Sequence, residues 1–347
     1  MAARALPARA VAAAAGAAAA AAGALVAGVL LAGVLVAGPA AAAATLSGVT
    51  LNVADQFKEY QTIFNATGAL KGAKYKVNWS EFTDGTHIIA AEAGGSVDLG
   101  DMAETPTIFA QAAGDPVKVV ATTVGASPKA SPFGLLVPAG SSATEVAQLR
   151  GKSIAVQVGT VEQYLLIQML QRAKVPYGTV HIDNLTVVNG SAAVQSGQVD
   201  GYLGVQPLIS LDVQSGKARV LQSAAGYGML LGYLTASQAA LDNPKKKAAI
   251  ADFVQRFYKA GDYLRNHRQL AAQTYVETYG VSPAVARAAV ASVQVKGSPL
   301  TKKIVAYQQK EADTFLKLGL LSTKLDVAKV FTLPFNRQIS KAAGLTG

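Results

Sequence analysis

The chain has 347 residues, with 31 Lys and Arg against 21 Asp and Glu for a net charge of +10, three His and no Cys. The length exceeds one ordinary core and points to about two domains. The lack of Cys excludes thiol catalysis, Cys-bound zinc, disulfides and the acceptor Cys of a lipoprotein.

Residues 1–44 read as a secretory leader. Arg4 and Arg9 form a positive start, residues 10–38 are almost wholly Ala, Gly, Val and Leu, and Pro39 with Ala40–Ala44 offers small-residue cleavage sites. The same stretch is long enough to span a bilayer, which leaves an uncleaved anchor as the competing reading.

After the leader, strands and helices alternate. Strands are expected at Val49–Ala54, Tyr75–Phe82, Val117–Thr123, Phe133–Val137, Ser153–Val158, Leu185–Val188 and Arg219–Gln222. Helices are expected at Glu59–Thr67, His87–Ala93, Pro106–Ala113 and Glu162–Ala173, with a short turn at Thr144–Leu149. Asn189-Gly190 reads as a turn before a short helix, and Gly228–Thr235 as a returning strand. From Pro244 onward the chain reads as helical, over Lys245–Asn266, Leu270–Glu277, Pro283–Val293 and Thr301–Leu318. Lys245-Lys246-Lys247 follows Asn243-Pro244 and reads as a solvated helix start. The other basic residues are scattered, which argues against nucleic acid as a partner.

One pattern is written twice. Gly95-Ser96-Val97-Asp98 is followed by Pro106, and Gly197-Gln198-Val199-Asp200 by Pro207. Gly suits the left-handed end of a helix and Pro suits the first turn of the next one. The repeat implies two similar α/β lobes: lobe one at 45–134 and 228–347, lobe two inserted at 135–227. Pivots are expected at Leu135–Val137 and Gly228–Leu234. Two lobes enclose a cleft, and in such sheets ligands bind beyond the carboxyl ends of the strands.

Catalytic and metal motifs are missing. The chain has no H-E-x-x-H, no G-x-S-x-G and no dinucleotide fingerprint. Gly151-Lys152-Ser153 resembles the end of a phosphate loop, but Val146 stands where that loop requires Gly. What remains is a set of helix starts at strand ends, whose free N–H groups can hold an anion without arginine. They supply the candidate ligand residues: Thr83, Asp84, His87, Glu104 and Thr105 from lobe one, and Gly159, Thr160, Glu162, Asn189 and Gln206 from lobe two. Gln56, Phe57, Tyr227 and Met229 are candidate walls. The reading includes no catalytic residue, metal or cofactor.

Several stretches also carry a family resemblance. They are Phe82-Thr83-Asp84-Gly85; Gly100 through Pro106 with Phe109–Gly114; Leu149-Arg150-Gly151-Lys152 with Ala155-Val156; and Gly159-Thr160 with Tyr164-Leu165-Leu166. The most specific runs from Ser298-Pro299-Leu300-Thr301 through Ala312-Asp313-Thr314-Phe315 to Leu318-Gly319-Leu320. In this order the chain resembles the solute-binding proteins of ABC importers of the aliphatic sulfonate, taurine and nitrate type, which group with the thiamine-pyrimidine-synthase-like proteins. The resemblance departs at Met102-Ala103-Glu104, at Val161 and at Val205-Gln206-Pro207. These changes leave open a bulkier or more apolar anion than a simple sulfonate.

The resemblance implies a type II periplasmic binding protein fold and a monomer, not an enzyme. It would take a small organic anion between its lobes in the periplasm and pass it to a membrane permease driven by a cytoplasmic ATPase. Three alternatives stay open: another small solute such as nitrate, an aromatic acid or a pyrimidine precursor; a membrane-anchored sensor; and a thiamine-pyrimidine biosynthetic enzyme. If the leader is cleaved, the intact mass of protein recovered from the cell envelope will lack residues 1–44. An anchored form will retain them.

Overall fold

The structure is a computed structural model that describes residues 46–125, 127–292, 295–332, 335–337, 340 and 344. The expected leader lies outside these residues. Among them no helix is long and apolar enough to cross a membrane.

Two mixed sheets, each flanked by helices, organise the chain. The first contains β1 (Thr50–Gln56), β2 (Lys76–Phe82), β3 (Leu99–Ala103), β4 (Val117–Gly125), β10 (Leu231–Ser237) and β11 (Val295–Ser298), in the order β11-β4-β10-β3-β1-β2. The second contains β5 (Phe133–Pro138), β6 (Ser153–Ala155), β7 (His181–Asp183), β8 (Gly201–Val205) and β9 (Ala218–Ser223), in the order β7-β6-β8-β5-β9. With β11 set aside, the two orders match strand for strand. In each sheet the antiparallel strand is the one nearest a crossing in the chain: β10 lies between β3 and β4, and β5 between β8 and β9. The chain leaves the first sheet after Gly125 and returns at Leu231. Leu135–Val137, expected as a pivot, is instead the fully buried middle of β5.

The helices are α1 (Glu59–Thr67), α2 (Gly85–Ala93), α3 (Pro106–Ala113), α4 (Val161–Arg172), α5 (Val187–Ser196), α6 (Leu208–Gln214), α7 (Gln238–Asp242), α8 (Pro244–Asn266), α9 (Arg268–Tyr279), α10 (Pro283–Ser292) and α11 (Lys302–Lys317). The long α8 closes the core of lobe one, where Phe253 stacks on Phe64 at 4.9 Å and Trp79 meets Phe64 edge-on. Lobe two is built around Leu135, Val137, Ile154, Leu166, Met169 and Leu170.

The repeated sequence pattern has a shared physical cause. Gly95 and Gly197 take positive φ at the ends of α2 and α5, where a Cβ would be strained. The Asp that follows pins the neighbouring strand: Asp98 accepts from the Asn52 amide at 2.9 Å, and Asp200 from the Ser153 amide at 3.0 Å. Each Asp also donates its own amide to that residue's carbonyl. Each has a lysine partner, Lys246 at 2.7 Å for Asp98 and Lys152 at 3.5 Å for Asp200.

Leu185–Val188 is not a strand. The strand lies earlier, at His181–Asp183, and Thr186 caps α5 by accepting from the Asn189 amide at 3.4 Å. Gly190 is therefore inside a helix rather than in a turn. The ring of Tyr202 lies against it, and a Cβ there would come within 2.6 Å of that ring. The Tyr202 hydroxyl then donates to the Val187 carbonyl at 2.7 Å. β-branched residues made this segment look extended; tertiary packing made it helical. The expected strand at Ser153–Val158 stops at Ala155, and short elements at β11 and α7 carry no clear sequence signal.

The paired aspartates differ in burial: Asp98 is buried, whereas the Asp200 side chain is 43% exposed. Replacing Asp98 with Ala leaves the half-buried Asn52 amide and Lys246 without this partner and should cost about 1–3 kcal/mol. Asp200→Ala should cost less than about 1 kcal/mol. Urea unfolding of the two variants checks this ranking.

Candidate functional site

Each parallel strand of the two sheets is followed by a helix start. In lobe one, two of these starts are occupied by the chain's own carboxylates. Asp55, at the end of β1, accepts from the Tyr60 and Gln61 amides of α1 at 3.0 and 2.7 Å. Asp84, after β2, accepts from the Thr86 and His87 amides of α2, both at 3.0 Å. The Thr83 hydroxyl and the His87 ring also approach Asp84, at 3.1 and 2.7 Å. Burial acts to raise the Asp84 pKa. The His87 amide, the Gln157 side chain and the His87 ring outweigh it and hold the carboxyl below its usual value. Thr83 and His87 are exposed and Asp84 is buried. An anion cannot use amides that Asp84 already fills.

The starts of α3 at Thr105 and of α4 at Thr160 have no hydrogen bond from the N-cap side chain. They lie on opposite lobes. Gly159, just before α4, abuts the ring of Phe109 on α3, so the lobes meet here. Gly159 and Thr160 are both buried. The Gly159 amide donates to Gln163 at 2.8 Å, and the Thr160 hydroxyl to the Gln157 carbonyl at 2.8 Å. Glu162, in the first turn of α4, is buried. Burial raises its pKa, Thr160 opposes this, and Asp84 across the seam adds to it.

α11 closes this seam. It carries Ile304, Gln308, Glu311, Ala312 and Phe315 on one buried face. Phe315 meets Phe109 of lobe one at 5.1 Å and Tyr164 of lobe two at 6.0 Å. The polar members of that face reach the β3–α3 junction. The Gln308 side-chain amide donates to Thr107 at 2.6 Å, the Tyr233 hydroxyl donates to Gln308 at 2.7 Å, and the Thr105 hydroxyl donates to Glu311. Glu104 and Thr105 are wholly buried. Burial, then Glu311 and Glu162, hold the Glu104 carboxyl well above its usual range, and burial raises Glu311 as well.

The remaining candidates are spread more widely. Gln56 donates to the Asp101 carbonyl at 3.0 Å, and Phe57 faces Tyr279 at 6.2 Å. Gln206 is half-buried and accepts from the Ser210 hydroxyl at 2.8 Å, ahead of a cis bond to Pro207. Tyr227 lies under the Arg172 guanidinium at 3.9 Å, and Met229 packs beside Leu231 and Tyr233. Asn189 is exposed in the first turn of α5 and does not open a helix as expected, because Thr186 supplies the cap. Sequence reasoning missed Gln157, Gln308 and Glu311. The last two had a readable signal, since they fall on the same helical stripe as Ile304, Ala312 and Phe315. Among the described residues, no three of His, Cys, Asp and Glu are placed to hold a metal ion.

These buried carboxyls give the stability a direction with pH. Burial also lifts Glu92 to about 8, against 4.5 for an ordinary Glu, with Thr235 opposing the shift. Glu92, Glu104 and Glu311 therefore hold protons when folded that the unfolded chain has released. Their contribution is fully present below about 4.5 and is lost as pH rises through the folded values. The urea midpoint should fall between pH 5 and pH 9, and Glu311→Gln should flatten that fall. Denaturation series at fixed pH test this.

The NMT1/THI5-like family profile matches residues 71–271. An Escherichia coli K12 protein named for aliphatic sulfonate binding is 28% identical over 253 residues, covering 73% of this chain and 78% of its own. Among solved structures, the alkanesulfonate-binding protein SsuA of Xanthomonas axonopodis pv. citri, bound to MOPS, superposes with a TM-score of 0.75 at 27% identity. The match covers 82% of this chain and 98% of that one. The periplasmic SsuA of Escherichia coli gives a TM-score of 0.71 at 26% identity, over 82% and 92% of the two chains. These relatives are binding proteins rather than enzymes, and their periplasmic binding protein fold is the one seen here. With its matching sheets and this coverage, the chain belongs to the NMT1/THI5-like family.

Proposed function

We propose that this chain is the extracytoplasmic solute-binding component of an ABC importer, capturing a small organic anion between its lobes for delivery to a membrane permease. The observation that carries this reading is the meeting of α3 and α4 at the seam. The Thr160 side chain does not cap α4 and the Gly159 amide is held by Gln163, so what this buried start offers an anionic group is the partial positive charge of the helix end. The family relatives support the transport role, and the Xanthomonas neighbour holds MOPS, itself a sulfonate. The two connections between the sheets suit a hinge that closes the lobes over the solute.

A solute at a hundred times its dissociation constant adds about 2.7 kcal/mol to stability. Propane-1-sulfonate should therefore raise the thermal midpoint by several degrees. Thr160→Ala should weaken binding about tenfold by removing a hydroxyl at the α4 start. An unchanged midpoint across alkyl and aryl sulfonates, carboxylates and nitrate would refute the anion reading.

A further inference from the structure

We propose that lobe one holds a second ligand site, a cavity beside α9 that takes a single uncharged aromatic ring bearing one hydroxyl, the chemistry of a simple phenol. The site is independent of the solute-binding reading above, since none of its lining residues comes from lobe two or from α3, α4 or α11.

The cavity lies among α1, α8, α9 and the ends of β4 and β11, with a volume of about 150 Å³. An apolar cavity of that size takes up one benzene molecule. The exposed residues Gly261, Arg268 and Lys296 mark its mouth, and the buried Thr123, Leu264 and Thr274 its floor. Aromatic rings form much of the wall. Tyr60 and Phe257 tilt against each other at 4.9 Å, Phe257 and Tyr258 at 5.7 Å, and Tyr275 enters from α9. Such walls favour a ligand ring held edge-on or offset-stacked.

The polar groups select the ligand. The Thr274 hydroxyl donates to the Leu270 carbonyl at 2.8 Å, and the Tyr258 hydroxyl is paired with the Thr122 backbone. Among the described residues, the Tyr60 and Tyr275 hydroxyls have no hydrogen-bond partner. Burial raises the pKa of both, and the carboxyls of Asp101, Glu59 and Asp55 add to this at Tyr60 and that of Glu59 at Tyr275. Both therefore stay as neutral hydroxyls able to donate and to accept. Hydroxyls shielded from water without a partner are costly. A ligand hydroxyl donates and accepts in turn, and so complements this pair. Charge is met by its own sign at either end. An anion would face Glu59, whose Oε2 accepts from the Tyr279 hydroxyl at 2.8 Å, and a cation would face Arg265, which pairs with Asp262 at 2.8 Å. Taking a full charge out of water adds a further cost.

Titration calorimetry of the full chain at pH 7 tests this with phenol, toluene, benzoate and benzyltrimethylammonium. Phenol should bind at about one site per chain, about fivefold tighter than toluene and at least about tenfold tighter than either charged ring. Tyr60→Phe and Tyr275→Phe keep the rings, and each should lower the affinity for phenol towards that for toluene while toluene binds as before. Ala271→Leu fills the cavity from α9 and should abolish the binding of phenol. Circular dichroism confirms the fold of each variant, and should Ala271→Leu fail to fold, the two tyrosine variants decide. No binding of phenol, or binding unchanged in a folded Ala271→Leu, overturns the site. Equal affinity for phenol and toluene, or phenol affinity unchanged in both tyrosine variants, overturns the role of the hydroxyls and with it the proposal. Tightest binding of benzoate or of benzyltrimethylammonium overturns it as well, by showing a cavity that selects charge. Each of these results leaves the importer reading standing.

Discussion

The arrangement depends on α11 lying between the two lobes with polar groups on its buried face. Ile304, Ala312 and Phe315 would bind that face to the protein by apolar contact alone. Gln308 and Glu311 add direction, because a buried amide and a buried carboxyl must find specific partners. They find them at one place, the turn where β3 becomes α3. The last long helix thereby fixes the position of Thr105 and Glu104, and through Phe109 the point where α3 meets Gly159. A site between lobes gains one fixed reference from this contact.

Electrostatics at the seam differ from those of the whole chain. The net charge is strongly positive, yet the groups at the meeting of the lobes are carboxyls. Positive surface charge favours the arrival of anions by long-range attraction. At short range, Asp84 fills the α2 start, while the Thr160 side chain does not cap α4. Composition therefore says little about the charge at the seam.

Most of the fold was legible because its signals are local. The Gly-x-Val-Asp repeat marked both lobes, since a positive-φ Gly and a strand-pinning Asp are demanded by geometry at both places. Helix starts at Thr105-Pro106 and Thr160 were legible for the same reason. The segment at 185–190 was not, because its state is decided by the ring of Tyr202, which approaches from β8. Asp84 was legible as a cap, but that it thereby blocks its own helix as an anion site emerges only from the distances. Gln308 and Glu311 lie some two hundred positions from Thr105 and Thr107, and no local pattern joins them.

The insertion of the second sheet between two strands of the first also bears on the order in which the protein can assemble. All five strands of the second sheet come from one continuous stretch, Phe133 to Ser223. The first sheet lacks its inner strand until Leu231–Ser237 is available, and its seam waits for α11. A chain that emerges from its amino end can therefore complete its middle first. The flanking portion, though begun earlier, must stay open until the tail arrives, so it is the natural client of any helper that shields unfinished sheet edges.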